Sequence, residues 1–199
     1  MIKRSFDILT AGLGLIILSP LMALAAVLIK GSSAGPVLFK QERMGKDFHP
    51  FVILKFRTMV ADAPLRGGQL TLGQDPRVTR IGRLLRKGKI DELPQLFNVL
   101  KGEMSVVGPR PEVGKYVLLF RQDYEEILRV RPGITDLASV KYRDEVKMLT
   151  RFDDIEEGYL RQILPDKIRL AKQYLKESSF VFDMNLIFRT ILAVLTSKR

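Results

Sequence analysis

The sequence predicts a mainly α-helical chain with a small β-hairpin and one membrane-inserted N-terminal segment. Three observations carry that reading. Ile8 to Ile29 is a run of 22 residues without a charge, about the ~20 residues needed to cross a hydrocarbon core. Two short β-prone stretches flank Gly45, as in a hairpin. From residue 80 onward, apolar residues recur mostly at helical spacing.

The elements follow in order. Lys3 and Arg4 precede the uncharged run. Its apolar region is longer than that of a signal peptide and leads into no clear small-x-small site followed by a polar mature start, so it is read as retained. Ser19-Pro20 lies near its middle. Pro20 cannot donate to the carbonyl of Ile16, so a kink or break is expected there. The Ser19 hydroxyl can bond an upstream carbonyl and lower the cost of the freed group in lipid. Each half is about eleven residues, or roughly 16 Å of helix, close to half a ~30 Å core. Lys30, Lys40 and Arg43 follow the run, and the positive-inside rule then places both ends on the cytoplasmic side. From these residues alone, a re-entrant helix and a kinked spanning helix both remain open.

After the anchor, residues 37–43 and 50–56 read as two strands about Gly45, with His49-Pro50 in the turn. Residues 60–79 read as a loop, with Pro64, Gly67-Gly68 and Asp75-Pro76 as its turn signals. Residues 80–87 form a short basic amphipathic helix. Residues 92–100 form another, with Leu93, Leu96, Phe97 and Leu100 on one face. Residues 113–130 give a third helical pattern, and 154–177 a longer one containing Pro165. The last stretch is apolar at 184, 187, 188, 191, 192 and 195, but Asp183 and Arg189 interrupt it. It reads as an interfacial helix or one packed on the anchor. The division is therefore a membrane helix over 1–30 and a folded part over 31–199.

Composition narrows the function. The 199 residues carry 33 Lys and Arg against 22 Asp and Glu, a formal charge of +11, which points to an anionic partner. The chain has no cysteine and one histidine, His49. Disulfides, thiolate metal sites and a multi-histidine zinc site are excluded. Acid–base or covalent work falls more naturally to carboxylates, lysines or hydroxyls. There is no P-loop, nucleophile elbow, dinucleotide fingerprint or nucleic-acid recognition motif.

The chemistry concentrates in "IDELPQLFNVLKGEMSVVGPRPE", residues 90–112. Asp91 and Glu92 precede Pro94 and an apolar run, as acids do at a helix start. A helix start would keep Asp91 ionised and therefore a competent nucleophile. Arg86, Lys87 and Lys89 stand just upstream, where a phosphate would be held. Pro109 and Pro111 fix a turn that presents Arg110. Lys55 and Arg57 add two cations at a strand end, and "RPGIT", residues 131–135, is another arginine-bearing turn.

Together, the Ser-Pro apolar helix, "KQERMGKDFHPFVILKFRTM", "LLRKGKIDELPQLFNVLKGEMSVVGPRPE" and "RPGIT" closely resemble the bacterial sugar transferases, the monotopic polyprenyl-phosphate phosphoglycosyltransferase family. The resemblance covers nearly the whole chain. It implies transfer of a sugar-1-phosphate from a UDP-sugar to undecaprenyl phosphate, releasing UMP and beginning assembly of a surface glycan. It implies that Asp91 is the nucleophile of a covalent phospho-sugar intermediate and that Glu92 binds Mg²⁺. It also makes Ser19-Pro20 the bend of a re-entrant helix and places the catalytic part on the cytoplasmic face of the bacterial inner membrane. Lys55, Arg57, Arg86, Arg110, Pro109 and Pro111 are the expected contacts to phosphate or nucleotide.

Two places depart from the family pattern. Many members read "RPGITGLAQV" where this chain has "RPGITDLASV", with Asp136 and Ser139, and many carry Ser or Thr where Lys89 stands. Sugar identity is accordingly not transferred, and oligomeric state is left open. The alternative is a non-enzymatic membrane-anchored adaptor binding anionic lipid or an acidic partner. It would explain the anchor and the charge, but not the DELP and GPRP stretches.

Overall fold

A single long helix, α1 (Ile2–Ser32), carries the apolar run. The computed structural model describes residues 2–63, 75–143 and 145–196. The central part of the expected loop, with Pro64 and Gly67-Gly68, lies outside the described residues. The chain is mainly helical, and α1 continues through Pro20 rather than ending there. The expected break is thus not an interruption of the helix. Pro20 leaves the Ile16 carbonyl without its usual donor, and Ser19 Oγ supplies one at 2.8 Å.

Both ends of α1 are held by the folded part. Near its start, Arg4 donates to the carbonyls of Val99 at 2.7 Å and Leu100 at 3.0 Å. One turn on, the buried Asp7 carboxylate accepts from Ser105 Oγ at 3.0 Å and Val106 N at 2.9 Å. Ala11 then packs with Phe51, Ile53, Val99 and Met104. Near its end, Ala25 and Ile29 pack with Phe56 and Leu85. Between these anchor points Leu13, Ile16, Ile17 and Leu24 are exposed.

The hairpin is β1 (Leu38–Met44) against β2 (Pro50–Phe56), antiparallel, with Leu38 opposite Phe56 and Met44 opposite Pro50. The turn departs from a simple glycine turn: Asp47 and Phe48 take left-handed conformations inside it. Next comes α2 (Arg80–Lys87), on the residues the basic pattern indicates, capped by Thr79 Oγ1, which accepts from Gly82 N at 2.9 Å. Gly82 is required there. A Cβ on it would lie 2.0 Å from the Thr58 carbonyl oxygen.

The DELP segment forms a one-turn 3₁₀ helix, Ile90–Glu92, followed by α3 (Gln95–Lys101). The buried face of α3 is Gln95, Asn98 and Val99, while Phe97 and Leu100 are exposed. The apolar stripe of this helix therefore faces outward. Two elements absent from the sequence reading follow: β3 (Ser105–Val107) and β4 (Gly133–Thr135), paired in parallel across "SVV" and "GIT". Each is three residues long, too short for a periodicity to register.

The expected helix over 113–130 is two, α4 (Gly114–Leu119) and α5 (Arg121–Ile127), separated at Phe120. Then come α6 (Leu137–Lys141), α7 (Glu145–Leu149) and α8 (Ile155–Gly158). The expected helix over 154–177 is also divided. A π-helical turn at Tyr159–Ile163 precedes α9 (Leu164–Glu177), where Pro165 enters without an N–H to contribute. The main core lies here, with Tyr116, Val117, Tyr124, Ile127, Tyr159, Ile163 and Leu164 among its members.

The last helix, α10 (Phe180–Leu195), explains the two charges that interrupt its apolar pattern only in part. Asp183 is buried, pairs with Lys3 of α1 and accepts from Tyr174 Oη at 2.9 Å. Phe180 packs edge-on against Phe6 of α1. Val181, Phe188 and Ile191 are exposed, so α10 extends the apolar surface that α1 begins.

Candidate active site

Four segments deliver the charged residues. β2 carries Lys55 near its end, α2 carries Arg86 in its last turn, the 3₁₀ turn carries Asp91 and Glu92, and the turn after β3 carries Arg110. Glu92 is the hub. Lys55 Nζ donates to Glu92 Oε1 at 2.8 Å, and the Arg110 guanidinium pairs with both Glu92 oxygens. Burial alone would push Glu92 up, but Arg110 and Lys55 outweigh it and hold the carboxyl well below the usual range. Desolvation lowers Lys55, and Glu92 only partly offsets it. Arg110 is raised by the same carboxylate.

Asp91 differs from its neighbour. It does not cap a helix, and its buried Oδ1 has no hydrogen-bond partner. Burial raises its pKa, and the adjacent Glu92 raises it further, against the attraction of Lys55, Lys89 and Arg86. The expected lowering of the Asp91 pKa by a helix start is therefore corrected to a raising: the turn puts Asp91 into the interior ahead of α3 instead of across exposed N–H groups. Four residues on, Gln95 is also buried and its Nε2 is likewise unpartnered. Two polar atoms of opposite hydrogen-bonding character are thus left unsatisfied within DELPQ.

The other expected residues divide. Arg86 donates through Nε to Thr58 Oγ1 at 2.8 Å, and burial lowers it while Asp91 and Asp75 attract it. Arg57 has a different task. Its guanidinium donates to the carbonyls of Ala34 at 2.6 Å and Ser33 at 2.8 Å, tying the end of α1 to the strand. Pro109 and Pro111 shape the turn through their carbonyls, which accept from Gly133 N at 2.9 Å and Arg43 at 3.4 Å. Gly133 is needed where β4 crosses that turn, since a Cβ there would lie 2.1 Å from Gly108 N.

Sequence reasoning missed three supporting groups. Asn98 is fully buried and accepts from Leu54 N at 3.0 Å while donating to Val52 O at 2.8 Å and Glu103 at 2.7 Å. Its signal is its i+3 spacing from Gln95, opposite the apolar stripe. Glu112 joins Arg43 at 3.0 Å to Tyr159 at 2.6 Å. Asp136 holds the Arg110 turn from α6. Glu112 has no local sequence signal, because its partners Arg43 and Tyr159 are distant, and the local signal of Asp136 is only that of a helix cap.

Among the described residues no group of three or more acidic, histidine or cysteine side chains forms a cation cage. Mg²⁺ does not require one, since one or two carboxylates plus phosphate oxygens suffice. The unpartnered Asp91 oxygen next to Glu92 fits such a hard cation.

A model of the family described as bacterial sugar transferase matches residues 1–197. A UDP-N-acetylgalactosamine-undecaprenyl-phosphate N-acetylgalactosaminephosphotransferase of Aeromonas hydrophila is 41% identical over 98% of this chain and 44% of its own length. The exopolysaccharide production protein ExoY of Rhizobium meliloti is 37% identical over all of this chain and 87% of its own. A UDP-glucose:undecaprenyl-phosphate glucose-1-phosphate transferase of Escherichia coli is 35% identical over 96% of this chain and 39% of its own. The chain thus spans less than half the length of two of these three relatives.

Proposed function

The chain belongs to the bacterial sugar transferase family, and on that premise we propose that it transfers a sugar-1-phosphate from a UDP-sugar to undecaprenyl phosphate. The observation that carries the reading is the buried, unpartnered carboxylate oxygen of Asp91 beside a Glu92 already neutralised by Lys55 and Arg110. Two cations on one carboxylate leave positive charge for an arriving diphosphate, which is what phosphoryl-type transfer asks of a protein.

The reaction proceeds in two displacements. The Asp91 carboxylate attacks the phosphorus bound to the sugar, a P–O bond forms, the diphosphate bridge breaks, and UMP leaves. An oxygen of the lipid phosphate then attacks the same phosphorus, frees the Asp91 carboxylate and yields polyprenyl-diphosphate sugar. Arg110 and Lys55 neutralise charge on the phosphates, and Arg86, which attracts Asp91, acts in the same role. Asp91 and Glu92 are the residues that would hold Mg²⁺, which when bound supplies further neutralisation of the diphosphate.

The contacts of α1 support a placement as well. A 31-residue helix is about 46 Å long, and a spanning helix has its ends on opposite sides of the bilayer. Here Arg4 and Asp7 at one end and Ile29 at the other are all held by the same folded part. That supports residues 1–30 as a re-entrant membrane helix entering and leaving by one face, with 31–199 as the catalytic part on the cytoplasmic side of the inner membrane. The exposed apolar faces of α1, α3 and α10 would then meet lipid.

The test is UMP release from a panel of UDP-sugars with Mg²⁺ and detergent-solubilised protein, without lipid acceptor. Wild type releases about one UMP per chain on the cognate sugar, and Asp91→Asn releases none. Continued release by Asp91→Asn removes Asp91 as the nucleophile. Full activity in EDTA removes the metal. Binding to anionic vesicles without UMP release on any sugar would favour the adaptor instead.

A further inference from the structure

We infer that Asp136 is a positioning residue for Arg110. This rests on the role given to Arg110 above. Asp136 is 2% exposed and uses its two oxygens in two directions. Oδ1 accepts from Ser139 N at 2.6 Å and so caps α6, while Oδ2 accepts from the main-chain N–H of Arg110 at 3.2 Å. The carboxylate thus bridges the start of α6 and the Pro-Arg-Pro turn.

The surroundings make that bridge consequential. The turn is pinned before Arg110 by Gly108 N donating to Thr135 O at 3.1 Å and Gly133 N donating to Pro109 O at 2.9 Å, and after it by Arg43 Nη1 donating to Pro111 O at 3.4 Å. The Arg110 N–H lies between these crossing points, and among the described contacts Asp136 is its acceptor. The peptide unit of Pro109 C=O and Arg110 N–H is therefore held at both edges, by Gly133 and by Asp136, and its plane sets the base from which the guanidinium reaches Glu92. A small tilt there is magnified at the end of a long side chain, where misplacement of the charge lowers the rate. The buried, unpartnered Oγ of Ser139 lies in the same helical turn.

The separating variant is Asp136→Asn. Asparagine remains a good cap, so its oxygen can serve Ser139 N, but its NH₂ then faces the Arg110 N–H donor to donor. Asp136→Asn is expected to keep Tm within a few degrees of wild type. It should lower single-turnover UMP release, read as kcat/KM for the UDP-sugar, by roughly tenfold or more. In an Arg110→Ala background the same change should lower it no further. If Asp136→Asn falls in Tm, Asp136→Ser, a cap with no reach to Arg110, provides the same comparison. Wild-type kcat/KM in Asp136→Asn while Arg110→Ala is impaired overturns the inference. So does an equal loss in both backgrounds, since that marks a general structural role. Unchanged UMP release by Arg110→Ala would instead overturn the role given to Arg110 itself.

Discussion

Replacing Asn98 by leucine should unfold the hairpin side of the site without touching a charged residue. Asn98 spans β2 like a fragment of a third strand, taking Leu54 N–H on Oδ1 and Val52 C=O on Nδ2. Leucine has nearly the same volume, so the loss is mainly in hydrogen bonding. The Leu54 donor, the Val52 acceptor and Glu103 each lose a partner at a fully buried position. At about 1–3 kcal/mol for each uncompensated buried group, and with Glu103 able to reach water, the expected cost is about 3 kcal/mol. In a chain of this size 1 kcal/mol moves Tm by about 2–4 °C, so Tm should fall by about 6–12 °C. Thermal unfolding in one detergent, followed by far-UV circular dichroism, measures it. The site should suffer as well, because Asn98 sets the spacing between β2, which carries Lys55, and the turn that carries Glu92. A Tm within 2 °C of wild type would refute the reasoning and show that water replaces the amide at no cost.

Other outcomes follow from the same geometry. Asp91→Asn should raise Tm at pH 7. The raised carboxyl pKa means that the fold disfavours the ionised form, so the ionised side chain costs stability above its unfolded pKa of about 4; the difference from wild type should vanish as pH falls below that value, and a lowered Tm would contradict the burial. Asp166 behaves in the opposite sense. Partial burial pushes it up, but hydrogen bonds from Lys141, Tyr142 and Arg169 prevail and hold it at about 2. Its stabilisation is therefore complete above pH 4 and lost between about 4 and 2, and Asp166→Asn should flatten the Tm–pH curve in that window. Finally, a cysteine at the exposed Ile2 should react with a membrane-impermeant thiol reagent in inverted vesicles and not in intact spheroplasts; labelling in spheroplasts would mean that α1 spans.

Much of the site was legible in the sequence for local reasons. Asp91, Glu92 and Arg110 stand in a contiguous block, and α2 shows its boundaries through its basic amphipathic pattern. The environment of Asp91 was not legible. Asp before a proline and an apolar run signals a helix cap, and only tertiary packing turns it inward. Likewise the stripe Leu93, Leu96, Phe97 and Leu100 names an apolar face, but α3 buries Gln95 and Asn98, with Val99 against Ala11 of α1, and leaves Phe97 and Leu100 exposed. The β3–β4 pair was invisible for a third reason: it joins segments 28 residues apart, and neither strand is long enough to show alternation. Arg57 shows the same limit. A cation beside the site is indistinguishable in sequence from one that ties down a helix end.

The charges at the centre explain why the site is costly to the fold. Glu92 is satisfied twice, while Lys55 is buried deeply enough that desolvation outweighs the pull of Glu92. A structural ion pair would favour both partners, yet here one partner is held at the expense of the other. Replacing Lys55 by methionine removes an ammonium that the fold disfavours and leaves Glu92 with Arg110. Well-packed apolar replacements of buried charges are often neutral or stabilising when the remaining charge keeps a partner. Lys55→Met should therefore change stability by no more than about 1 kcal/mol, a Tm shift within ~4 °C. UMP release should nevertheless fall by roughly a hundredfold, on the scale of losing one well-placed stabiliser of transferring charge. A Tm drop beyond 6 °C with UMP release retained would make Lys55 a structural partner of Glu92. The expected pair of results would make it a cation that the fold tolerates for the sake of the phosphate.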